Sequence, residues 1–386
     1  MTDERYRGWE WGYLLRETDS SVMTLLGHSE SVEDAQYSRD GRRIVTASMD
    51  STAKVWDAQT GEELVTLSGH NRDVLRASFS PDGGRVVTVS HGTTVKVWDV
   101  ESGIELFTVE SMERMYSGSF SPDGARLLTS SVDGTVRIWD SFTGEELMVS
   151  RGHEDIVMDS SFSPDGAEFA TVSPDRTAKI WDSMTGRVLL TKELGDVYFY
   201  SARFDPSGER IVSEASDSTV RIWDAATGDD LITLRGHLSY ITDAEFGPFG
   251  DYVVTASSDG SARVWSAHSA RELKTIWGFG NYMSSASLSP DGLHILTGTG
   301  NSTAKVWNSN PGILRGPGNS IVSAAFSFDE RRVVTASLDG TVMLWDVSLI
   351  DFPQMLEGHA ERATGASFSH DDSRILSTSK DGEAII

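Results

Sequence analysis

The sequence predicts an all-β repeat fold of about nine four-stranded units, eight complete and one truncated, with seven or eight as the alternatives. Three observations carry this prediction: a tryptophan ruler, a recurrent turn, and short strands that fill the interval between tryptophans. Trp56, Trp98, Trp139, Trp181, Trp223, Trp265 and Trp307 are separated by 42, 41, 42, 42, 42 and 42 residues, and Trp345 follows after 38. A period in this range marks a repeat architecture, which overrides the domain count that 386 residues would otherwise suggest.

The fourth repeat shows how one period is filled. Gly152-His153 opens it, and a short strand runs to Phe162. Ser163-Pro164-Asp165-Gly166 then turns the chain, with Pro presetting φ and Gly free to take a left-handed conformation. Phe169 to Ser173 is a second strand, Asp175-Arg176 a tight turn, and Thr177 to Trp181 a third strand. After Thr185-Gly186, Arg187 to Thr191 supplies the fourth. The same turn recurs at Ser80 to Gly83, Ser121 to Gly124 and Ser289 to Gly292. Such a unit has two open edges and two faces that it cannot bury alone. Radial stacking around a channel buries the faces and protects the edges, which makes a β-propeller the expected architecture.

The ninth repeat reaches Ile386, one residue before its expected Trp. Val22-Met23-Thr24-Leu25 resembles the fourth strand Leu64-Val65-Thr66-Leu67. Residues 21–26 are therefore expected to pair with the last repeat and close the ring. The propeller should span 21–386, with 1–20 a separate lead-in segment, expected to be helical, around Trp9-Glu10-Trp11.

Gly-His openings (Gly27-His28, Gly69-His70, Gly152-His153, Gly236-His237, Gly358-His359), the Ser-x-Asp step and Trp-Asp in register resemble the WD40 repeat family from about Leu25 onward. The lead-in segment resembles that of bacterial signalling proteins, which suggests a bacterial-type multi-repeat protein. The resemblance implies a buried hydrogen-bonded tetrad in each full blade: His28, Ser48, Asp50 and Trp56; His153, Ser173, Asp175 and Trp181; His237, Ser257, Asp259 and Trp265. The second repeat has Gly92 in place of Asp, the third, seventh and eighth lack the His, and the fifth lacks it and has Ala215 at the hydroxyl position. His-Ser-Asp is structural in this reading and no catalytic residue is expected.

Composition narrows the function. Net charge is −25. Such a surface repels phosphate backbones and anionic lipid, so neither nucleic acid nor membrane is an expected partner. Without cysteine there is no thiolate metal site, disulfide or cysteine nucleophile. No Walker loop, His-Glu-x-x-His or calcium-loop spacing is present, and neither cofactor nor metal is expected. With no visible signal peptide, a cytoplasmic setting is expected.

One set of residues stands out. Counting from each repeat's His or its aligned position, the third residue on is Tyr198, Tyr240 and Tyr282 in three successive repeats. The fifth on is Tyr116, Met158 and Tyr200 in the third to fifth. The resemblance places these at the top face and channel mouth. They are either docking anchors or rings that plug gaps between blades. Asp34, Asp159 and Asp243 follow one place on, as negative charge at the mouth or as caps of the opening loops. The expected function is a non-catalytic scaffold binding a protein or peptide, basic in character, through this face. The alternative is the sensory propeller of a larger signalling kinase or NTPase.

Overall fold

The computed structural model describes residues 21–277, 282–292, 294–308, 321–326, 332–337, 342–346, 354–356, 362–369 and 373–386. The lead-in segment 1–20, Gly358-His359 and the Gly278-Phe279-Gly280 stretch lie outside the described residues. The rest forms two compact units, within Met1–Ser309 and Asn310–Ile386. Every element among the described residues is a strand, arranged in nine antiparallel sheets.

The first sheet sets the pattern: Val32–Tyr37 innermost, then Arg43–Ser48, Thr52–Asp57 and Glu63–Ser68 outermost. The turns follow the sequence cues. Gly83, Gly124 and Gly166 adopt φ near +70°, the left-handed conformation that the Pro-Asp-Gly turn needs, and Gly41 does the same in the Arg-Asp-Gly turn of the first repeat. The third strands carry the tryptophans, of which Trp56, Trp98, Trp181 and Trp223 are almost fully buried.

Burial lies between the sheets. The forward face of the first sheet (Val45, Ala47, Val55) packs on Val74, Ala77, Val86 and Trp98 of the second. Equivalent clusters join each sheet to the next. The seventh returns to the first through Leu296, Ala304 and Val306 against Val32, Ile44 and Trp56. Seven sheets thus close a ring.

Nine sheets are present among the described residues, as the repeat count requires, and seven of them close a ring within the first unit. The closing strand Met23–Leu26 pairs with Thr303–Asn308 of the seventh repeat and not with the last repeat as expected. The sequence supplies the reason. Trp307 to Trp345 is four residues short of the usual interval, and the stretch that would form the seventh repeat's own fourth strand carries Pro311 and Pro317. Proline removes the N–H that a ladder requires. Met23–Leu26 takes the outer edge of the seventh sheet.

In the second unit the eighth sheet runs Ile321–Phe326, Arg332–Ser337, Val342–Asp346 and Gln354–Leu356. The three-stranded ninth runs Ala363–Phe368, Ile375–Ser379 and Ala384–Ile385. Val334, Ala336 and Val342 pack on Ala366 between them.

Candidate functional site

Each full repeat of the ring contains a buried relay. Trp56 Nε1–H donates to Thr46 Oγ1 at 2.9 Å, and Thr46 Oγ1 lies 2.7 Å from His28 Nε2. His28 Nδ1 lies 2.8 Å from Asp50 Oδ2. Every atom is satisfied when the threonine hydroxyl donates to Nε2 and Nδ1–H donates to the carboxylate. The fourth and sixth repeats repeat it through Thr171 and Thr255. Burial lowers the pKa of His28, His153 and His237 against the opposing pull of their aspartates. Burial also works against the Asp50 and Asp175 carboxylates, but hydrogen bonds from Thr and His overcome it and hold both below the usual range.

The bridging hydroxyl is therefore a threonine, and the expected Ser48, Ser173 and Ser257 are corrected. Ile44 is the register partner of Trp56, so Thr46 is its diagonal neighbour and Ser48 lies about 7 Å further along the strand. Ser48, Ser173 and Ser257 instead accept the backbone N–H of Asp50, Asp175 and Asp259 and shape the turn. The same shift applies to the fifth repeat. Ser213 accepts the Trp223 indole N–H at 3.1 Å, so its hydroxyl is present and Ala215 is not its site. In the second repeat His70 reaches Thr88 but has Gly92 where a carboxylate belongs, and burial pushes its pKa down to about 4. The relay has the donor order of a hydrolytic triad. Its hydroxyl is fully buried and accepts from an indole, so it has no route to a substrate.

Above the relays, on the face carrying the His openings, the structure gathers some of the tyrosines and separates others. Tyr198 and Tyr200 meet edge to face at 5.1 Å, with their hydroxyls 3.1 Å apart. Burial, Tyr198 and Tyr240 together push the Tyr200 pKa up to about 12. Tyr240 is 62% exposed and Leu238 84%. The backbone is irregular here: the fifth repeat's inner strand is reduced to Arg203–Phe204 and an isolated bridge from Phe199 to Ala215. Such departures from the ladder re-aim side chains. Tyr282 stands elsewhere. Its hydroxyl donates to Glu33 Oε1 at 3.1 Å across the closing seam, so it latches two blades together. Tyr116 lies beneath the Arg114 guanidinium at 4.7 Å. Met158 packs into the seam between the fourth and fifth sheets.

The aspartates are not at the mouth. Asp34, Asp159 and Asp243 are buried. Asp34 Oδ2 accepts the Ala77 N–H at 3.1 Å and Asp243 Oδ2 the Ala286 N–H at 3.0 Å, each in the next blade. They staple neighbouring inner strands and do not cap their own opening loops. Asp243 Oδ1 also faces Arg203 Nη2 at 3.1 Å. Below them a channel cavity of about 600 Å³ extends to the Ser-Pro-Asp-Gly turns. Among the described residues no group of three or more His, Asp or Glu is placed to hold a metal ion.

The family described as WD domain, G-beta repeat matches residues 19–57, 61–99, 109–140, 144–182, 192–224, 228–266, 271–308, 310–346 and 351–386. The chain belongs to the WD40 repeat family. Serine-threonine kinase receptor-associated protein of Homo sapiens is similar to it, 42% identical over 52 residues, 13% of this chain and 15% of that protein. Periodic tryptophan protein 2 of Saccharomyces cerevisiae is 40% identical over 53 residues, 14% of this chain and 5% of that protein. The similarity therefore spans well under two thirds of either relative. Both are eukaryotic WD proteins, and the bacterial-type expectation gains no support from them.

Two features of this WD40 ring were missed in the sequence reading. The first is a set of charges, Arg76, Arg203 and Glu245 in the channel and Glu214 buried in the seam between the fifth and sixth blades. Their signal was available in the repeat alignment. Glu214 occupies the strand position of Ala47, Val89, Val172 and Ala256, all fully buried between blades. A carboxylate aligned with those residues announces a buried charge. The second is a staple on the opposite face, where Arg43, Arg85, Arg126 and Arg210 each donate to a turn-glycine carbonyl of the next blade.

Proposed function

We propose that this WD40 protein is a non-catalytic scaffold, acting in the cytoplasm, that binds a protein or peptide segment on the face carrying the His openings. The observation that carries the reading is the cluster of Tyr198, Tyr200 and Tyr240 beside exposed Leu238. Three flat amphipathic rings on a rigid ring of blades offer contact area at little entropic cost. Tyr116, in the inner strand of the third repeat, and Met158, just before that of the fourth, extend the surface round the ring. Tyr282 contributes through the closing seam it latches. Asp159 and Asp243 are withdrawn from direct contact by their burial. The acidic groups that would meet a partner are Glu154, Asp155 and Asp196, which are exposed in the opening loops of the fourth and fifth repeats. With a net charge of −25, they favour a segment carrying Arg or Lys next to an apolar side chain.

The test is affinity capture from lysate with the wild type and the triple variant Tyr198→Ala, Tyr200→Ala, Tyr240→Ala, both checked for an unchanged melting curve. The control changes Asp82, Asp123 and Asp165 to Asn in turns of the opposite face. Loss of a partner in the tyrosine variant alone supports the proposal. Loss in the control alone would place binding on the wrong face for this reading.

A further inference from the structure

The channel cavity is lined at its inner end by Asp34, Arg76, Asp159, Arg203 and Glu245, and six prolines from the Ser-Pro turns and their equivalents collar its other end. Most of these charges are already committed. Asp34 accepts from Ala77 N–H, Arg203 pairs with Asp243, and Asp159 is buried near the Arg203 charge. Two are not. Among the described residues the Arg76 guanidinium makes no hydrogen bond or ion pair, with Asp34 the main charge raising its pKa. Glu245 lies 4.0 Å from Arg203, too far for a hydrogen bond, and has no other ion pair. The hydroxyls of Ser78 and Ser119, on the Arg76 side, also lack a protein partner.

The two uncommitted charges have opposite sign and stand on opposite walls. Arg76 belongs to the second blade and Glu245 to the sixth, which lie three steps apart one way round the ring and four the other. Both side chains are partly exposed to the channel, that of Glu245 to 35%, so a molecule entering the channel can reach each of them. A molecule that carries both complementary charges satisfies both at once. A cavity of this size lies within the range of small-molecule sites.

We propose that the channel binds a small zwitterion, an aliphatic amino acid whose carboxylate meets Arg76 and whose ammonium group meets Glu245. The guanidinium offers a planar fork to the carboxylate, and six prolines together with Arg39 form the rim of the entrance. This site is independent of the tyrosine face and opens towards the opposite end of the channel. Burial pushes the Glu245 pKa up to about 7, with Arg203 opposing and Asp243 and Asp34 adding to the rise. An incoming ammonium group releases that proton, so affinity increases as pH rises through neutrality.

Isothermal titration calorimetry on the full chain tests the proposal with glycine, 4-aminobutanoate and 6-aminohexanoate, and with hexanoate and hexylammonium as single-charge probes. The expected result is saturable binding of at least one zwitterion, at least about tenfold tighter than either single-charge probe. Arg76→Gln should reduce that zwitterion to the level of the ammonium probe, and Glu245→Gln to the level of the carboxylate probe. Arg76→Lys and Glu245→Asp replace any variant that fails to melt cooperatively, and they should weaken binding less. Three results overturn the proposal: no zwitterion binding below about 10 mM, a single-charge probe binding as tightly as the zwitterions, or affinity unchanged in both variants. Partner capture on the tyrosine face should be unaffected by either variant, so the two readings fail separately.

Discussion

Leu25 lies opposite Ala304 in a four-residue antiparallel ladder that joins the start of the described chain to the seventh repeat. Its side chain is 2% exposed and packs with Val32, Ile44 and Trp56 of the first blade. One residue thus belongs to the seventh sheet by hydrogen bonding and to the first by packing, and this double membership closes the ring.

Leu25→Ala should cost the first unit about 2–4 kcal/mol, the usual range for emptying a buried leucine site. Leu356, in the outer strand of the eighth sheet, lies in the other unit. Leu356→Ala should leave the melting transition of the first unit in place. Calorimetry on both variants decides the matter, and closure at the seventh repeat is wrong if Leu25→Ala leaves that transition unmoved.

Gly92→Asp should complete the second blade's relay. His70 already reaches Thr88 at 2.7 Å, and Thr94 Oγ1 lies 3.3 Å from its Nδ1. A Cβ at Gly92 would meet only Ser90 Oγ at 3.3 Å and Arg72 Cδ at 3.5 Å, both able to yield, and the backbone there is not left-handed. The new carboxylate would accept from His70 and Thr94, as Asp50 does from His28 and Thr52. Stability at neutral pH should rise by about 1 kcal/mol. The His70 pKa, followed by NMR, should rise from about 4. A variant that melts lower and leaves His70 unshifted would show that the gap is not a missing acceptor.

What could be read in advance was whatever depends on neighbours in sequence. Ser-Pro-Asp-Gly declares its turn through its own backbone preferences, and the spacing of Trp56, Trp98 and Trp139 declares a stacked repeat. What was misread depends on pairing across strands. Thr46 and Ser48 share a strand face, and only the register that sets Ile44 opposite Trp56 selects the threonine. The aspartates were placed at the mouth because their bonds run to Ala77 and Ala286, more than forty residues away. The closure was partly legible: the short interval before Trp345, with Pro311 within it, sets the seventh repeat apart from the others in the sequence. Of the candidate site, the tyrosines stood out in the repeat alignment, but their division into a cluster and a latch required the position of Glu33.

Asp175→Ala should cost about 1–3 kcal/mol, because it strands a buried His153 N–H and two turn donors from Thr177. Asp217→Ala should cost less. Its partners are Thr219 and Arg221, and no histidine depends on it. Chemical denaturation of the two variants measures the difference, and equal losses would remove the histidine from the explanation.

Glu214 should make the seam between the fifth and sixth blades weaken as pH rises. Burial pushes its pKa up to about 7, Asp243 adds to the rise, and Arg203 opposes it. Its Oε1 has no hydrogen-bond partner. A carboxyl whose folded pKa exceeds its unfolded value binds more protons folded than unfolded between the two. Stability is therefore lost as pH rises from about 4.5 through about 7, and the penalty is fully present above that range. The buried His28, His70, His153 and His237 act the opposite way, since their lowered values favour the folded state as pH rises towards 6.5. Those histidines are common to wild type and variant, so the difference between the two isolates the glutamate. Glu214→Gln should melt close to the wild type at pH 5 and higher by about 2 °C or more at pH 8. A gap of the same size at both pH values would mean that Glu214 does not titrate in this window, and that its carboxylate is paired well enough to remain ionised throughout.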